Sequence, residues 1–333
     1  MKSKITDFLY KHFWYYRLYV DNKVDKIQFD KVYDNTPHEE LRSKDVIFIL
    51  SGKAHLWAFD IHGGFADRLK GIVSVYEACK ESGRNFKIVH TYPYLLEKFL
   101  VPNQYDWKID SDTVIYNIHA VTPYYFRHSH YKDEVSYFRW RARKLLTENK
   151  SLHIYSNAVT VNDDEFRTCF NELFKPSPSL EREIDLNLSN IGCNYISLSY
   201  RFTHLLGDPV DTYMKELCTE EKEVLIDQTL SSIITFHNKY PNHKILVNSD
   251  SNTFLSRVKD ASYDYVYIIP GVPVHIDQVT DASDESYMKT FIDFFMISKA
   301  DRVFLVKAGE MRNSGFPKCA AIIGNKPFEI VNI

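Results

Sequence analysis

The sequence predicts an α/β protein of two Rossmann-like units facing each other across a cleft, and three observations carry that expectation. Short runs rich in β-branched and aromatic residues alternate with longer amphipathic stretches, the pattern of parallel strands covered by helices. The pattern breaks at Lys175 to Ser179 (KPSPS) and then restarts. The length, 333 residues, exceeds what one ordinary core needs and suffices for two. The expected division is residues 1–174 for a first unit, 175–194 for a connector and 195–333 for a second unit.

Each element follows from its local pattern. Asp45 to Leu50 (DVIFIL) reads as a buried strand, and the Gly63-Gly64 turn leads into a helix over Phe65 to Ser82 that Gly83 closes. Asn85 to His90 is the next strand. Thr113 to Ile118 and Leu152 to Tyr155 are two more, separated by a charged helix over Tyr131 to Asn149. In the second unit Tyr195 to Tyr200 (YISLSY) is a strand and Glu220 to Tyr240 an amphipathic helix. Strands at Lys244 to Asn248, Tyr265 to Ile269 and Arg302 to Val306 alternate with helices at Ser251 to Lys259, Glu285 to Lys299 and Pro317 to Ile323.

Composition narrows the function. Hydrophobic residues at 44% and charged residues at 26% describe a globular chain, and a net charge of -3 gives no basic excess for nucleic acid. Cys79, Cys169, Cys193, Cys218 and Cys319 include no C-x-x-C pair, which argues against both a disulfide framework and a thiolate zinc site. The first 25 residues mix Phe8, Leu9, Phe13, Trp14, Tyr15 and Tyr16 with Lys11, His12 and Arg17, too broken for a signal peptide or a spanning helix. The expectation is a cytoplasmic protein with no transmembrane segment, with peripheral contact to the inner face of a membrane open through that basic, aromatic surface helix.

Four segments carry residues suited to chemistry. In Ile61 to Ile72 (IHGGFADRLKGI), adjacent glycines precede a helix whose first N–H groups attract anions. The spacing is neither G-x-G-x-x-G nor a P-loop. Asp67 and Arg68 there make either a surface ion pair or a ligand contact. In Ser197 to Asp208 (SLSYRFTHLLGD), a strand ends in Arg201, at the sheet edge where open α/β folds bind ligands. Its planar fork suits a diphosphate or a structural ion pair. In Val247 to Leu255 (VNSDSNTFL), Asp250 either caps a helix or reads the N1–H and amino donors of guanine. In Ser298 to Ile330, Asn313, Ser314, Gly315 and Phe316 lead into a helix and form another anion cradle. His128 and His130 alternate, but no carboxylate or thiolate completes a metal set around them.

Taken together and in this order, GGFADRLKGI, SLSYRF, VNSDSNTFL and NSGFPKCAAIIG resemble the GDP-fucose-dependent fucosyltransferase superfamily, which includes the nodulation, α-1,6-, α-1,2- and protein O-fucosyltransferases. The resemblance spans residues about 60 to 330. It implies a GT-B fold with an N-terminal acceptor domain, a C-terminal nucleotide domain and no required metal. The family's H-x-R-R motif falls on Ser199, Arg201 and Phe202. Arg201 therefore matches the arginine on the donor's β-phosphate, Asp250 the guanine-reading acid, and Ser314 a hydroxyl near the phosphates. Ser199 and Phe202 depart from that motif, where the family has histidine and a second arginine.

The implied reaction is inverting fucosyl transfer from GDP-fucose to a glycan acceptor. The GDP-sugar is a co-substrate and no further cofactor is expected. Arg201 and the helix start near Ser314 neutralise the leaving diphosphate, while Gly63 and Gly64 face the sugar and acceptor. Asp60, His62 and Asp67 are general-base candidates by position only. Two alternatives stay open: a GT-B transferase using another nucleotide sugar, and a catalytically silent nucleotide- or sugar-binding protein.

Overall fold

The computed structural model describes residues 4–39, 43–51, 63–126, 133–148, 150–156, 161–192, 194–209, 215–273, 276 and 283–333. Two compact units divide the chain: Met1–Leu95 with Pro102–Leu173, and Leu96–Val101 with Phe174–Ile333.

The first unit opens with two helices, α1 (Lys4–His12) and α2 (Trp14–Phe29). Its sheet is β1 (Val46–Leu50), β2 (Phe86–His90), β4 (Thr122–Phe126) and β5 (Leu152–Ser156), all parallel in the order β2-β1-β5-β4. Every residue of β1 is buried, as the unbroken apolar run VIFIL requires of an inner strand covered on both faces. Helix α3 (Phe65–Ser82) connects β1 to β2. It stops at Gly83, whose φ of +65° is the left-handed conformation that closes a helix at little cost only in glycine. Helices α4 (Glu134–Leu146) and α5 (Asp163–Leu173) both pack on α3.

Among the described residues, α1 and α2 expose Ile5, Phe8, Phe13, Tyr15 and Tyr19, together with Lys4, Lys11, Lys23 and Lys26. The carboxylates of α2 turn inward instead. Asp21 accepts from Tyr10 and pairs with buried Arg141 at 3.4 Å, and Asp25 lies 3.5 Å from the same guanidinium.

Two expectations need correction in this unit. Thr113 to Ile118 is not a strand: Ser111–Thr113 is a short 3-10 turn, and the strand lies later, at β4. The cause is Asn117. Its side chain accepts from the N–H of His119 (2.8 Å), a local bond that competes with a sheet ladder, and donates to the carbonyl of the distant Thr36 (2.9 Å). The expected helix over Tyr131 to Asn149 is shorter, and its ends lie outside the described residues.

The second unit includes Leu100 and Val101 of β3 (Leu100–Pro102), which pairs with β6 (Phe174–Pro176). Its main sheet is β7 (Tyr195–Tyr200), β8 (Lys244–Ser249), β9 (Val266–Tyr267), β10 (Val303–Lys307) and β11 (Phe328–Asn332), parallel in the order β11-β10-β7-β8-β9. The stretch 175–194, read as a connector, is instead the end of β6 and helix α6 (Pro178–Ile191), which packs on α9 (Asp284–Lys299). Pro178 starts this helix rather than breaking it. Proline suits the first helical position, and Ser177 caps the turn by accepting from the N–H of Leu180 at 3.3 Å.

One face of the main sheet packs Ile196, Leu198, Tyr200, Phe304 and Val306 into a core shared with α7 (Thr219–Lys239) and α8 (Asn252–Asp260). Helix α10 (Gly315–Ile323) packs on α9 and on β10. It is not the last element, since β11 follows it as an edge strand.

Candidate functional site at the carboxyl edge of the second sheet

Strand β7 lies at the centre of its sheet, and Arg201 is the first residue beyond it. The alternation of side chains along a strand assigns its neighbours opposite tasks. Phe202 continues the apolar face: it is fully buried and its ring centroid lies 4.9 Å from that of Phe254. Ser197 and Ser199 belong to the other face. Ser199 stands opposite Asn248 on β8 and Leu305 on β10. Its buried hydroxyl and the side-chain oxygen of Asn248 have no hydrogen-bond partner among the described residues, while the Asn248 amide donates to Ser197 at 3.2 Å. Burying such a group unpaired costs about 1–3 kcal/mol, so this polar strip is not explained by packing.

The loop after β7 is tied to the loop after β8 by two carboxylates in opposite directions. Asp250, just past β8, accepts from the N–H groups of Phe202 (2.9 Å) and Thr203 (3.0 Å), one on each oxygen. Asp208, from the β7 loop, accepts from the Ser251 hydroxyl (2.7 Å) and the Thr253 N–H (2.9 Å). Ser251 is in turn the cap of α8 and accepts from the Phe254 N–H at 3.1 Å. Asp250 thus caps no helix, one of its two sequence readings; Ser251 does. The clasp holds the main chain that carries Arg201, with Thr203 at a φ of +56°.

The next element along the same edge is the start of α10. Ser314 is its cap and accepts from the Phe316 N–H at 3.3 Å, leaving the hydroxyl proton available to a ligand. Gly315 and Phe316 are half-buried, and Asn313 is exposed. Lys307, the last residue of β10, donates to Asn313 Oδ1 at 2.9 Å. The structure therefore brings Arg201, Ser199 and Asp250 together by strand pairing and the two-way clasp. Sequence reasoning missed Asp208 and Lys307. The signal for both was their place at or just after a strand end.

In the first unit Gly63 is buried and Gly64 is the cap of α3, with no side chain to satisfy the helix's first N–H groups. Arg68 is neither a surface ion-pair partner nor turned to solvent. It is 3% exposed, and its guanidinium donates to the carbonyls of Gly63 (2.9 Å) and Tyr92 (3.3 Å), fixing the glycine turn from behind. Asp67 makes the surface pair, with Lys70 at 3.0 Å. Asp60, His62, His128 and His130 lie outside the described residues.

A further imidazole, His90, ends β2. Its Nδ1 lies 3.1 Å from the Tyr94 carbonyl, so Nδ1 carries the proton, and its buried Nε2 has no partner among the described residues. Burial, reinforced by the charge of Arg68, holds the imidazole down to about 3, so it is neutral near pH 7.

No protein-family model matches the chain, and no curated protein matches it in sequence. Solved structures do match its fold. The NodZ alpha-1,6-fucosyltransferase, soaked with GDP-fucose, superposes with a TM-score of 0.51 at 15% identity, over 84% of this chain and 92% of that one. An Arg-to-Lys variant of Arabidopsis thaliana FUT1 in complex with GDP gives 0.54 at 12% identity, over 93% of this chain and 74% of that one. POFUT1 in complex with GDP gives 0.52 at 11%, over 87% and 99%. At such identities what is shared is the fold: mixed α/β with parallel sheets, of the GT-B fucosyltransferase kind.

Proposed function

We propose that this chain, which has the fold of the GDP-fucose-dependent fucosyltransferases, is a metal-independent glycosyltransferase that moves fucose from GDP-fucose to a glycan acceptor with inversion. The observation that carries the reading is the meeting of Arg201 and the approach to α10 at one sheet edge. β7 and β10 are paired through Tyr200 and Val306, one residue short of Arg201 on one side and Lys307 on the other. A cation and a helix start at the carboxyl ends of adjacent parallel strands suit a diphosphate.

The chemistry follows from charge. When the bond between the sugar and the β-phosphate oxygen breaks, negative charge collects on the departing GDP and positive charge on the sugar ring. The Arg201 guanidinium donates two parallel hydrogen bonds to that phosphate, and the α10 start adds the Ser314 hydroxyl and main-chain N–H groups. The acceptor hydroxyl attacks the opposite face of the sugar as the bond to the β-phosphate oxygen breaks, and its proton passes to a general base, for which Asp60, His62 and Asp67 are the candidates by sequence position. The first unit is assigned the acceptor, as the resemblance implies. Asp250 is assigned the guanine base, whose N1–H and amino group are two adjacent donors suited to a carboxylate.

One observation favours a second reading, a transferase of another nucleotide sugar. The Asp250 carboxylate already has a full structural task, so its presence does not by itself require guanine. Calorimetric titration with GDP, UDP and ADP in the presence of a chelator separates the two. GDP is expected to bind at least about tenfold more tightly, the weight of one hydrogen bond to a charged acceptor. Equal binding of UDP would support the second reading, and hydrolysis of GDP-fucose by the pure protein distinguishes a transferase from a silent binder. The exposed aromatic and lysine side chains of α1 and α2 suit contact with an anionic bilayer, and peripheral membrane contact belongs to the same proposal.

A further inference from the structure

The motif that β7 resembles carries two adjacent arginines, and this chain has one. The second position, Phe202, is fully buried in the core beneath the sheet. A cation there would point away from the edge, so position 202 supplies no second positive charge to it.

Strand β10 is the neighbour that supplies one. It pairs with β7 through Leu305 to Ser199 and Val306 to Tyr200, so Lys307 and Arg201 are the next residues in the same register. Phe304, Val306 and Ala308 share the apolar cluster with Leu198, Tyr200 and Phe202, which leaves Lys307 and Arg201 together on the opposite face. Adjacent strands run about 4.8 Å apart, so the two side chains are rooted side by side.

The Lys307 ammonium is also aimed. It donates to Asn313 Oδ1 at 2.9 Å, one residue before the Ser314 cap of α10. The intervening loop folds back because Ala308 N–H donates to the Met311 sulfur (3.3 Å) and Met311 N–H to the Ala308 carbonyl (3.1 Å), with Gly309 at a φ of +50°. An ammonium has three protons, and Asn313 takes one. Among the described residues no carboxylate forms a salt bridge with it, which leaves two protons for a ligand at this end of the sheet.

The geometry points to Lys307 as the second cation that binds the donor's diphosphate, standing in from β10 for the arginine that β7 lacks, with Asn313 as the residue that positions it. The assignment rests on the GDP-sugar reading of this same site. It alters what is expected of Arg201, whose charge then has a partner on the adjacent strand.

The test compares GDP with GMP by calorimetry, because only GDP carries the β-phosphate. Wild-type protein binds GDP more tightly than GMP. Lys307→Ala lowers GDP affinity by about 10-fold or more and leaves GMP affinity within about twofold, the effect of one charge-assisted hydrogen bond. Lys307→Arg retains most of the GDP preference, and Asn313→Ala loses a smaller part of it. In the Arg201→Ala background the Lys307→Ala loss differs from its loss alone, since two cations on one phosphate are not independent. Lys307→Met, which keeps the stem and drops the charge, must match Lys307→Ala with an unchanged melting temperature. An unaltered GDP-to-GMP ratio in both variants overturns the role of Lys307 while leaving the nucleotide reading intact. Failure of the wild type to bind GDP overturns both.

Discussion

At the scale of single residues, the same side-chain types take opposite roles according to what surrounds them. Arg68 holds two carbonyls behind the glycine turn, whereas Arg201 is the first residue past the central strand β7. The histidines of the first unit show how burial sets chemistry. His90 and His153 are both held down to about 3, chiefly by burial, and His153 has its Nδ1 2.8 Å from the Tyr33 hydroxyl. An unfolded histidine titrates near about 6.5. Between about 6.5 and 3 the unfolded chain therefore binds the extra protons, so the stability linked to these groups is fully present above about 6.5 and drains away as pH falls. Each group contributes a slope of up to about 1.4 kcal/mol per pH unit in that window. Urea unfolding measured at pH 7 and pH 5 should show the loss, and His153→Phe should make it shallower by about one proton. An unchanged slope in that variant would mean that His153 is not a buried neutral group.

At the scale of elements, the two loops of the second sheet behave as one part. Asp250 holds the turn after β7, and Asp208 in that turn holds the start of α8, so neither loop is positioned by its own residues alone. Asp208→Ala removes the acceptor for a hydroxyl and for a helix N–H. Its expected cost is on the order of 1–2 kcal/mol in urea unfolding, comparable to losing a helix cap. Asp208→Asn, which retains one acceptor, should recover part of it. Because the clasp carries Arg201, the same Asp208→Ala variant should also weaken GDP binding, although Asp208 touches no ligand in the proposed mechanism. Wild-type stability and wild-type GDP affinity together would show that the two loops are held by other contacts.

At the scale of the molecule, the net charge of -3 conceals a local excess of the other sign. The acids of α2 face inward to Arg141, and the lysines of α1 and α2 face outward beside exposed aromatic rings. Lys144 extends the same composition, with its ammonium 5.2 Å from the Tyr15 ring. Co-sedimentation with vesicles should show binding to anionic bilayers and little to neutral ones, weakening with salt. Replacing Lys11 and Lys23 by Gln should reduce binding by about fivefold for each charge, from about 1 kcal/mol per lysine at such a surface. Serine at Phe8, Phe13 and Tyr15 should reduce it further. Equal binding to neutral vesicles, or none at all, would remove the membrane from the proposal. Among the described residues no helix is long and apolar enough to cross a bilayer.

The sequence by itself determined the alternation of strands and helices, most strand positions, the closing of α3 at Gly83 and the placement of Arg201 at a strand end. Those features depend on local periodicity and on backbone conformations that few residues adopt, and both are written in consecutive positions. It misread Thr113 to Ile118, where an apolar run looks like a strand until Asn117 ties it to Thr36, a partner far away in the chain. It misread Ser177-Pro178 because a proline that breaks a helix and one that begins it differ only in the conformation of the residues on its C-terminal side. Only the tertiary structure decided that Phe202 is a core residue, that Arg68 is internal, that Asp250 and Asp208 exchange support, and that Lys307 and Arg201 each follow the last paired rung of two adjacent strands. Each of these depends on which strand lies beside which. Residues 201 and 307 are brought to one edge by a ladder whose partners are more than a hundred positions apart, and no local pattern encodes that register.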